Sequence, residues 1–442
     1  YEGDGPGELM VEVFLELLKL RFGLGGYDEV PAPRIEDIEL RPPRFSLPEE
    51  LAAFCSDAKL DRASHSYGKA FRDIVRALHG QYDNPTDYVA YPETEEQILG
   101  LIRFCEAHNV SLIPYGGGSS VVGGVEPTRS TTYEGTITLD MRNFDRVLEV
   151  DETSRAARVQ AGIYGPALEA ALKPYGLSPR FYPQSFPFST LGGWIATRAG
   201  GHYCTLYTHI EDIVESGRVV TPKGIHESRR LPASGAGPSQ ERLWCGSEGT
   251  LGIITEAWIR LHARPRFRSS VTVKFDDFVR GARAVRALSQ GKLYPVNCRL
   301  VGRMEAMSMG IGDGRNAMLL LGFESEHYPQ KDAMEKALRV CREHGGRYNR
   351  RKVTHSETRV RSGSAGSWRN NFIKAPYLRD IMAAKGMVTE TFETAVTWDQ
   401  FERFHQSILD AAQRAFDTHC RARGIITCRF THIYPDGPAP YY

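Results

Sequence analysis

The chain has 442 residues, and its 41% hydrophobic and 25% charged residues are typical of a globular protein. Its 55 lysines and arginines almost balance 54 acidic residues, so no basic excess indicates a nucleic-acid partner. No run approaches the length of a membrane span, and the first residues lack the pattern of a signal peptide. The eight cysteines are scattered without a C-x-x-C pair, which predicts neither a metal site nor a disulfide framework and favours an intracellular, cytoplasmic protein.

The first 80 residues are predicted to form a separate helical region of a chain that is long enough for two or three domains. Apolar residues between positions 8 and 22 outline one blurred helical face. The polar residues of this segment have mixed charge, so packing on the protein itself is favoured over binding to a membrane surface. A connector with five prolines follows between Pro31 and Pro48, and then a polar helical stretch.

An alternation of strands and helices begins near Tyr82. A short strand is predicted at residues 87–91. Thr94-Glu95-Glu96-Gln97 is a capping box, and the apolar positions 98, 101, 102 and 105 then share one helical face. This helix leads into a second strand that ends at Ile113, directly before a glycine-rich loop.

The glycine-rich loop, residues 113–124, contains five glycines around Ser119 and Ser120. Glycine permits positive φ and close backbone approach, so successive N–H groups of such a loop can converge on the oxygens of a diphosphate. The two serine hydroxyls would be additional donors, whereas a flexible surface loop is the alternative. The spacing is neither that of a Rossmann turn nor that of a P-loop, which indicates a different kind of diphosphate site.

Two further blocks combine glycines with polar residues. In residues 182–201, two glycine pairs flank a short apolar helix, a pattern that glycine caps explain equally well. Residues 246–256 join a glycine-rich turn to a β-branched strand, so a second close approach of backbone to ligand is plausible. A strand at 136–139 and a hairpin at 146–161 are expected between the loop and these blocks.

Residues 265–442 are predicted to form a cap domain in which strands and helices alternate. Strands are expected at 271–275 and 317–323, with one helix between them and another after Pro329. This order predicts an antiparallel sheet covered by helices, so the fold class of the chain is α+β. Arg299 either faces a pocket between the cap and the preceding domain or forms an ion pair at the surface.

The three glycine-containing blocks, in this order, resemble the FAD-binding domain of the vanillyl-alcohol-oxidase/PCMH flavoprotein superfamily. The second block, with Ser189-Thr190-Leu191-Gly192-Gly193-Trp194 and Thr197-Arg198-Ala199, is similar to that of the alkyldihydroxyacetonephosphate synthases. Segments 368–370, 375–380, 390–394 and 427–431 also look like these synthases. The resemblance implies a PCMH-type, two-subdomain FAD-binding domain at residues 81–264, followed by the cap.

The resemblance also implies which residues contact the cofactor. The glycine loop would hold the FAD diphosphate, and the other two blocks would line the flavin and the rest of the cofactor. FAD would be non-covalent, because the loop offers no histidine or cysteine to link it. The implied FAD contacts are Pro114, Tyr115, Gly116, Gly117, Gly118, Ser119, Ser120, Pro183, Gln184, Ser185, Ser189, Thr197, Arg198, Ala199, Gly200, Glu248, Gly249, Thr250, Leu251, Gly252, Ile253 and Ile254.

Two residues match catalytic positions of the family. Arg379 matches the arginine that engages the polar head of the substrate, and a guanidinium is a permanently charged fork for phosphate or carboxylate. Tyr441 matches the tyrosine that removes the C1 proton, and a phenol, which ordinarily titrates near roughly 10, would need a neighbouring cation for this role. Without the resemblance, a surface salt bridge is an alternative for Arg379, and a structural aromatic is favoured for Tyr441.

The implied function is that of an alkylglycerone-phosphate synthase-like transferase of ether-lipid synthesis. Such an enzyme exchanges the acyl group of acyl-dihydroxyacetone phosphate for a long-chain fatty alcohol, through a flavin N5 adduct and without net redox. The lipid substrates imply peripheral association with a membrane, and a homodimer is expected. An FAD-dependent 2-hydroxy-acid oxidase or dehydrogenase, of the D-lactate or glycolate type, is the alternative. A flavin-binding homologue without catalysis is the third hypothesis.

Two positions depart from the family pattern. Phe181 stands where mammalian-type members carry a catalytic histidine, a difference that keeps the oxidase alternative open. The triple-histidine motif of the family would follow Tyr441, so we expect the chain to continue beyond Tyr442. His202 and His432 are predicted to be structural histidines.

Overall fold

The computed structural model describes residues 29–127, 132–357, 379–420 and 424–442, together with a few helical positions before residue 21. Apart from those few positions, the helix expected at residues 8–22 lies outside the described residues. The family-like segments 368–370 and 375–378 also lie outside them.

The helices and strands below are numbered in chain order within the described ranges. The α-helices are α1 (Glu49–Ala52), α2 (Lys59–Ser64), α3 (Phe71–Leu78), α4 (Glu95–Ala107), α5 (Gly165–Leu172), α6 (Leu191–Ala196), α7 (Cys204–Tyr207), α8 (Ile210–Ile213), α9 (Gln240–Trp244), α10 (Phe278–Gln290), α11 (Arg303–Ser308), α12 (Lys331–Glu343) and α13 (Trp398–His419). The strands are β1 (Cys55–Ser56), β2 (Tyr88–Ala90), β3 (Val110–Tyr115), β4 (Gly135–Asp140), β5 (Val147–Asp151), β6 (Ala156–Gln160), β7 (Leu177–Ser178), β8 (Val214–Thr221), β9 (Gly224–Glu227), β10 (Ile253–Arg260), β11 (His262–Ala263), β12 (Phe267–Phe275), β13 (Asn297–Val301), β14 (Ala317–Ser325), β15 (Thr354–Ser356), β16 (Arg429–Ile433) and β17 (Pro438–Tyr441).

The first sheet has four strands in the order β1-β2-β4-β3. Strands β2, β4 and β3 run parallel, whereas β1 is antiparallel to β2. The predicted capping box at Thr94 is confirmed, and α4 buries its apolar face, including Ile98 and Leu101, against this sheet. Because β1 belongs to the first 80 residues, this N-terminal region supplies an edge strand to the sheet, and the glycine loop leaves from the end of β3.

The second sheet has five antiparallel strands in the order β5-β6-β10-β8-β9. The hairpin predicted at residues 146–161 is confirmed by the pairing of β5 with β6. The apolar residues of this sheet form one core with α5 and α6, which places the second glycine-containing block against the sheet.

Helix α6 begins one residue before the glycine pair Gly192-Gly193, so the prediction that this pair flanks the helix is wrong. Thr190 is the N-cap, and its hydroxyl accepts a hydrogen bond from the N–H of Gly193 at 3.3 Å. A Cβ atom on Gly192 would lie 2.9 Å from the Cβ of Ala161. The glycine is therefore placed inside the helix because the helix packs closely against the end of β6.

The cap is built on a six-stranded antiparallel sheet with the order β15-β12-β14-β13-β16-β17. Helices α10 and α12 pack their apolar residues on this sheet, as Val285 and Leu338 illustrate. The expected antiparallel sheet covered by helices is therefore confirmed, and the chain is an α+β protein.

A buried ion pair joins the cap to the preceding domain. Arg180 pairs with Glu324 near the end of β14, and the two side chains are only 4% and 1% exposed. Tyr207 donates a hydrogen bond to the same carboxylate at 2.9 Å, and the guanidinium carbon lies 4.9 Å from the centroid of the Tyr203 ring. Burial alone would lower the pKa of Arg180, but Glu324 raises it, so the arginine keeps its charge. The domain boundary is thus held by charged groups that lie out of water.

Candidate cofactor and active site

A cleft of about 400 Å³ lies where the glycine loop after β3, the helix α6 and the start of β10 converge. Its lining consists mainly of glycines, small hydroxyl residues and aliphatic side chains. Such a surface lets a ligand contact backbone directly, since few side chains stand between the ligand and the peptide groups.

The backbone of the glycine loop offers its N–H groups to a ligand. In the described part of the chain, no protein acceptor receives a hydrogen bond from the N–H of Gly117, Gly118 or Ser119. Ser120 lies at the turn that follows, where its hydroxyl accepts the N–H of Gly124 at 3.0 Å. Consecutive unpaired N–H groups are the chemistry of an anion-binding nest, so this donor set fits the diphosphate of a dinucleotide.

The loop packs directly on the second block, which explains why its first glycines are required. A Cβ atom on Gly117 would lie 1.9 Å from the carbonyl oxygen of Phe188, and one on Gly116 would lie 2.3 Å from Thr190 Oγ1. Both distances are far below contact distance, so a side chain at either position would separate the loop from the second block.

Residues from the N-terminal region support the loop from its other side. The ring of Tyr115 lies 4.5 Å from that of His65, and its hydroxyl donates to the carbonyl of Ser64 at 3.2 Å. The Nε2 atom of His65 is 2.9 Å from the carboxylate of Asp140 at the end of β4. Because the Lys69 N–H also donates to the Ser120 carbonyl at 2.6 Å, the loop is held at both ends by residues before position 80.

The third block is attached to the end of α6. The N–H of Glu248 donates to the carbonyl of Ala196 at 2.9 Å, and Glu248 itself has a φ of 50°. Gly249 has a φ of 81°, and a Cβ atom there would lie 2.7 Å from the ring of Pro114. The turn therefore brings the start of β10 against the start of the glycine loop and closes the cleft on that side.

Most of the residues expected to contact FAD line this cleft: Pro114, Tyr115, Gly116, Gly117, Gly118, Ser119, Ser120, Ser185, Ser189, Thr197, Ala199, Glu248, Gly249, Gly252, Ile253 and Ile254. The others are not among its lining residues: Pro183, Gln184, Arg198, Gly200, Thr250 and Leu251. Their assignment as cofactor contacts remains a prediction.

Other lining residues were not predicted: Val121, Val122, Gly124, Val125, Met141, Ala161, Thr190, Gly192, Gly193, Trp194 and Ala196. Several belong to the motifs and could have been found by extending each block along the chain. Met141 and Ala161 follow the ends of β4 and β6 and carry no motif, so only the sheet topology reveals them. The Nε1 atom of Trp194 donates to Ser189 Oγ at 2.7 Å, which fixes the indole beside the cleft.

The segment 197–200 is a wall between two cavities. Thr197 and Ala199 line the cleft, whereas Arg198 lines a second cavity of about 600 Å³ at the boundary with the cap. The guanidinium of Arg198 pairs with Glu211, with Nη2 and Oε1 2.8 Å apart. A Cβ atom on Gly200 would lie 2.6 Å from His432 Nε2, so the wall packs directly on the cap sheet.

Tyr441 lies on the edge strand of the cap sheet, directly opposite Arg429. The guanidinium carbon of Arg429 is 3.9 Å from the centroid of the Tyr441 ring, and its Nη1 atom is 2.5 Å from Glu305 Oε1. Arg429 is therefore the neighbouring cation that a catalytic role of the Tyr441 phenol would need. Tyr441 is not among the residues that line the cleft.

Arg379 is the first described residue of a helical segment that runs to residue 384 and packs on the start of the described chain, where the Ala384 carbonyl accepts the N–H of Val30 at 2.7 Å. Its side chain is partly buried, and its Nε atom has no hydrogen-bond acceptor among the residues that the structure describes. Burial raises the pKa of the neighbouring Asp380, against the opposing charges of Lys69 and Arg379. Lys69, whose N–H donates to the Ser120 carbonyl, and Arg379 thus both act on the carboxylate of Asp380.

Arg299 is fully buried, so of the two alternatives for this residue the surface ion pair is wrong. Its Nη2 atom donates to the Thr431 carbonyl at 3.3 Å. Phe181 is also buried, and its ring lies 5.2 Å from that of Trp194, which lines the cleft. His432 Nδ1 lies 2.6 Å from the thiol of Cys204, and burial lowers the pKa of this imidazole well below its ordinary value.

Comparison with known proteins places this geometry in a family. The model of an FAD binding domain matches residues 86–228, and that of the C-terminal domain of FAD linked oxidases matches residues 264–442. Over 447 aligned residues the chain is 32% identical to alkyldihydroxyacetonephosphate synthase of Dictyostelium discoideum, covering 94% of this chain and 71% of that protein. The chain belongs to the alkyldihydroxyacetonephosphate synthase family. It is therefore a member of a family of FAD-dependent enzymes, and FAD is its cofactor.

The synthase family also accounts for the fold. The chain is 28% identical to alkyldihydroxyacetonephosphate synthase of Caenorhabditis elegans over 93% of its own length and 73% of that protein. It superposes on a solved structure of alkyldihydroxyacetonephosphate synthase with a TM-score of 0.84 at 29% identity, covering 98% of this chain and 82% of that one. The glycolate oxidase subunit GlcD of Bacillus subtilis is 28% identical, but over only 59% of this chain. In the described ranges of this synthase-family chain, no helix is both long and apolar enough to span a bilayer.

Proposed function

We propose that this chain exchanges the acyl group of acyl-dihydroxyacetone phosphate for a long-chain fatty alcohol. One observation carries the proposal: similarity to an alkyldihydroxyacetonephosphate synthase extends over 94% of the chain, whereas similarity to glycolate oxidase and D-lactate dehydrogenase covers 59% and 54%. The cap determines which substrate reaches the cofactor, so similarity that includes the cap supports the transferase over the oxidoreductase.

The cleft is the proposed FAD site, with the diphosphate on the N–H groups of Gly117, Gly118 and Ser119. The unpaired donors and the close backbone packing of the loop fit this group, and Trp194 and Ala199 fit an aromatic ring system. When bound, FAD supplies an electrophilic centre that holds the substrate carbon during the exchange. Non-covalent binding follows from the absence of histidine and cysteine among the described lining residues.

Tyr441 and Arg379 are the proposed catalytic residues. Tyr441 accepts the proton from C1 of the substrate, and the adjacent guanidinium of Arg429 supplies the positive charge that a phenolate needs. Arg379 binds the phosphate of the substrate, which the Nε group without an acceptor in the described chain supports. Both assignments rest on the position of these residues and on the family relationship.

The test is anaerobic incubation of the purified holoprotein with palmitoyl-dihydroxyacetone phosphate and hexadecanol. We expect release of palmitate and formation of the hexadecyl ether, with the flavin oxidised at the end of turnover. Tyr441→Phe is expected to lower the rate by about 10²–10⁴-fold, and Arg379→Met to raise the KM of the phosphorylated substrate by roughly tenfold or more. Flavin that is bleached by D-lactate or glycolate, with no ether formed, would assign the protein to the hydroxy-acid oxidoreductases.

We further propose peripheral association with a membrane and assembly as a homodimer. Both lipid substrates partition into bilayers, so an enzyme that acts on them gains from residence at the surface. Sedimentation with phosphatidylcholine vesicles tests the membrane association, and protein that stays in the supernatant would contradict it. The molar mass from light scattering tests the homodimer, and a mass near 49.4 kDa for this chain would contradict it.

A further inference from the structure

A guanidinium, a carboxylate and a phenol form a contiguous group at the edge of the cap sheet. Arg429 and Tyr441 are opposite each other in the register of β16 and β17, and cross-strand partners share one face of a sheet. The guanidinium carbon stands 3.9 Å from the centroid of the phenol ring. This distance is that of a close cation–π contact, so the guanidinium packs directly on the ring face.

Glu305 anchors this group from the neighbouring helix α11. Its Oε1 atom is 2.5 Å from Arg429 Nη1, and the side chains are 8% and 7% exposed. A buried, charge-assisted hydrogen bond holds the guanidinium plane in one orientation. Removing either partner leaves an uncompensated charge away from water, so the pair is costly to break. The orientation of the cation over Tyr441 is therefore fixed from outside the sheet.

The surrounding charges show which group keeps its positive charge. Burial would lower the pKa of Arg429, but Glu305 and then Tyr441 raise it above the ordinary value. Burial, followed by the charge of Arg429, lowers the pKa of Arg299 on β13 to about 9. Burial raises the pKa of Glu393, against Thr431, Arg429 and Arg299. Arg429 is thus the strongly held cation of this cluster.

The remaining titratable neighbours do not compete with it. Burial raises the pKa of the Cys428 thiol, and burial also raises that of the Tyr442 phenol, so both stay neutral at physiological pH. Tyr442 is engaged elsewhere, because its hydroxyl lies 2.8 Å from His405 Nδ1. The electrostatic environment of the Tyr441 ring is consequently set by Arg429, Glu305, Arg299 and Glu393.

We propose that Arg429, oriented by Glu305, is the positioning residue for Tyr441: it fixes the phenol ring and provides the charge that balances its phenolate. The inference rests on the proposed function, in which Tyr441 accepts the C1 proton. In that step the C1–H bond breaks, its electron pair stays on the substrate carbon, and an O–H bond forms on Tyr441. The positive charge beside the ring stabilises the phenolate that precedes the transfer, and the fixed ring directs the oxygen.

The experiment measures deuterium uptake at C1 of palmitoyl-dihydroxyacetone phosphate in D₂O by mass spectrometry, with the FAD-loaded enzyme, as a function of pH. For Arg429→Met we expect the rate to fall and the midpoint of the pH profile to move up, since a neighbouring cation favours the charged form of an acid. Arg429→Lys keeps the charge but loses the planar stack, so its midpoint should stay near wild type while the rate falls roughly tenfold. Glu305→Gln leaves the guanidinium without its anchor, so it should lower the rate, but it removes a negative charge and should not raise the midpoint as Arg429→Met does.

The matched control is Arg268→Met. Arg268 is a partly buried arginine of the same sheet, on β12, which lies four strands from β17, so at least about 19 Å separates the two residues. We expect it to leave the exchange profile unchanged. Absorbance of bound flavin monitors folding in every variant. If Arg429→Met loses its flavin, the exchange profiles of Arg429→Lys and Glu305→Gln test the role of Arg429. Wild-type rate and pH profile in Arg429→Lys and Glu305→Gln would overturn the inference.

Tyr441→Phe separates this inference from the proposed function. Loss of exchange in Tyr441→Phe, together with unchanged profiles in the Arg429 variants, would leave the function standing and remove the role of Arg429. Exchange at the wild-type rate in Tyr441→Phe would show that another group takes the proton. In that case the assignment of Tyr441 fails, and the inference about Arg429 fails with it.

Discussion

The cofactor cleft and the boundary between the cap and the preceding domain differ in the groups that build them. The cleft is lined by glycines, hydroxyls and aliphatic side chains, and the donors proposed to bind the cofactor are peptide N–H groups. The cap boundary and the Tyr441 cluster are built from buried charged side chains, Arg180 with Glu324 and Arg429 with Glu305. A site built from closely packed backbone is disrupted when a side chain is added to one of its glycines, whereas a buried ion pair is disrupted when one of its charges is removed. Substitutions that change only side-chain volume or only charge therefore test this comparison.

The largest effect is expected from adding one methyl group to the cleft. In Gly117→Ala the new Cβ atom would meet the carbonyl oxygen of Phe188 at 1.9 Å, so the glycine loop must leave its position. We expect loss of bound FAD, measured by absorbance after gel filtration. Gly235→Ala is the control, because nothing lies within 4 Å of its Cβ position. Full flavin content in Gly117→Ala would refute the close packing of loop and second block.

Removing one buried charge at the cap boundary should be the next largest effect. Glu324→Gln leaves Arg180 charged and buried, which costs about 3–5 kcal/mol in the free energy of unfolding. Urea denaturation measures this cost. Arg283→Met removes an ion pair with Glu402 that is about half exposed, and it should cost under about 1 kcal/mol. Equal losses in both variants would contradict the distinction between buried and exposed pairs.

Acid should weaken the cap through His405. Burial lowers the pKa of this imidazole from 6.5 to about 4, so the folded state binds its proton later than the unfolded state as the pH falls. Stability from this group is therefore present above pH 6.5 and is lost between pH 6.5 and 4. His405→Gln should flatten the decline of unfolding free energy in this window by roughly 1–2 kcal/mol, relative to the control His419→Gln, an exposed histidine of the same helix. An unchanged slope would exclude His405 as the acid-sensitive group.

The smallest effect is expected behind the glycine loop. His65→Gln removes the ring that packs against Tyr115 and weakens the contact with Asp140, while the loop backbone keeps its glycines. The FAD dissociation constant should rise about tenfold, equivalent to one net hydrogen bond to a charged group. His79→Gln, an exposed change on the neighbouring helix α3, should leave it unchanged. A His65→Gln protein that binds FAD as tightly as wild type would mean that the N-terminal region does not hold the loop.

The two regions also differ in how far the sequence predicted them. The three glycine-containing blocks, of which the loop is the first, carry their chemistry locally, so the cleft and the α+β fold were predicted from residues near one another in the chain. The pairs Arg180–Glu324 and Arg429–Glu305 join residues more than a hundred positions apart, and no local pattern identifies them. Gly192 was placed outside its helix because its packing partner Ala161 belongs to another strand.

Arg299 illustrates the same limit. An arginine between two apolar residues on a short strand is compatible with a pocket or with the surface, and only the closure of β13 between β14 and β16 buries it. The assignments of Arg379 and Tyr441 came from resemblance, and neither lines the cleft. Their roles depend on how the cap sheet is positioned, which periodicity does not determine.

The residues of the cofactor cleft are synthesised before the proposed base, Tyr441. The lining of the cleft is complete once Ile254 has left the ribosome, whereas β17 with Tyr441 follows roughly 190 residues later. At about 5–20 residues per second, this interval is on the order of ten to forty seconds. The cofactor domain therefore has time to fold before the cap sheet is complete, and the proposed proton acceptor joins the protein after all the residues that line the cleft.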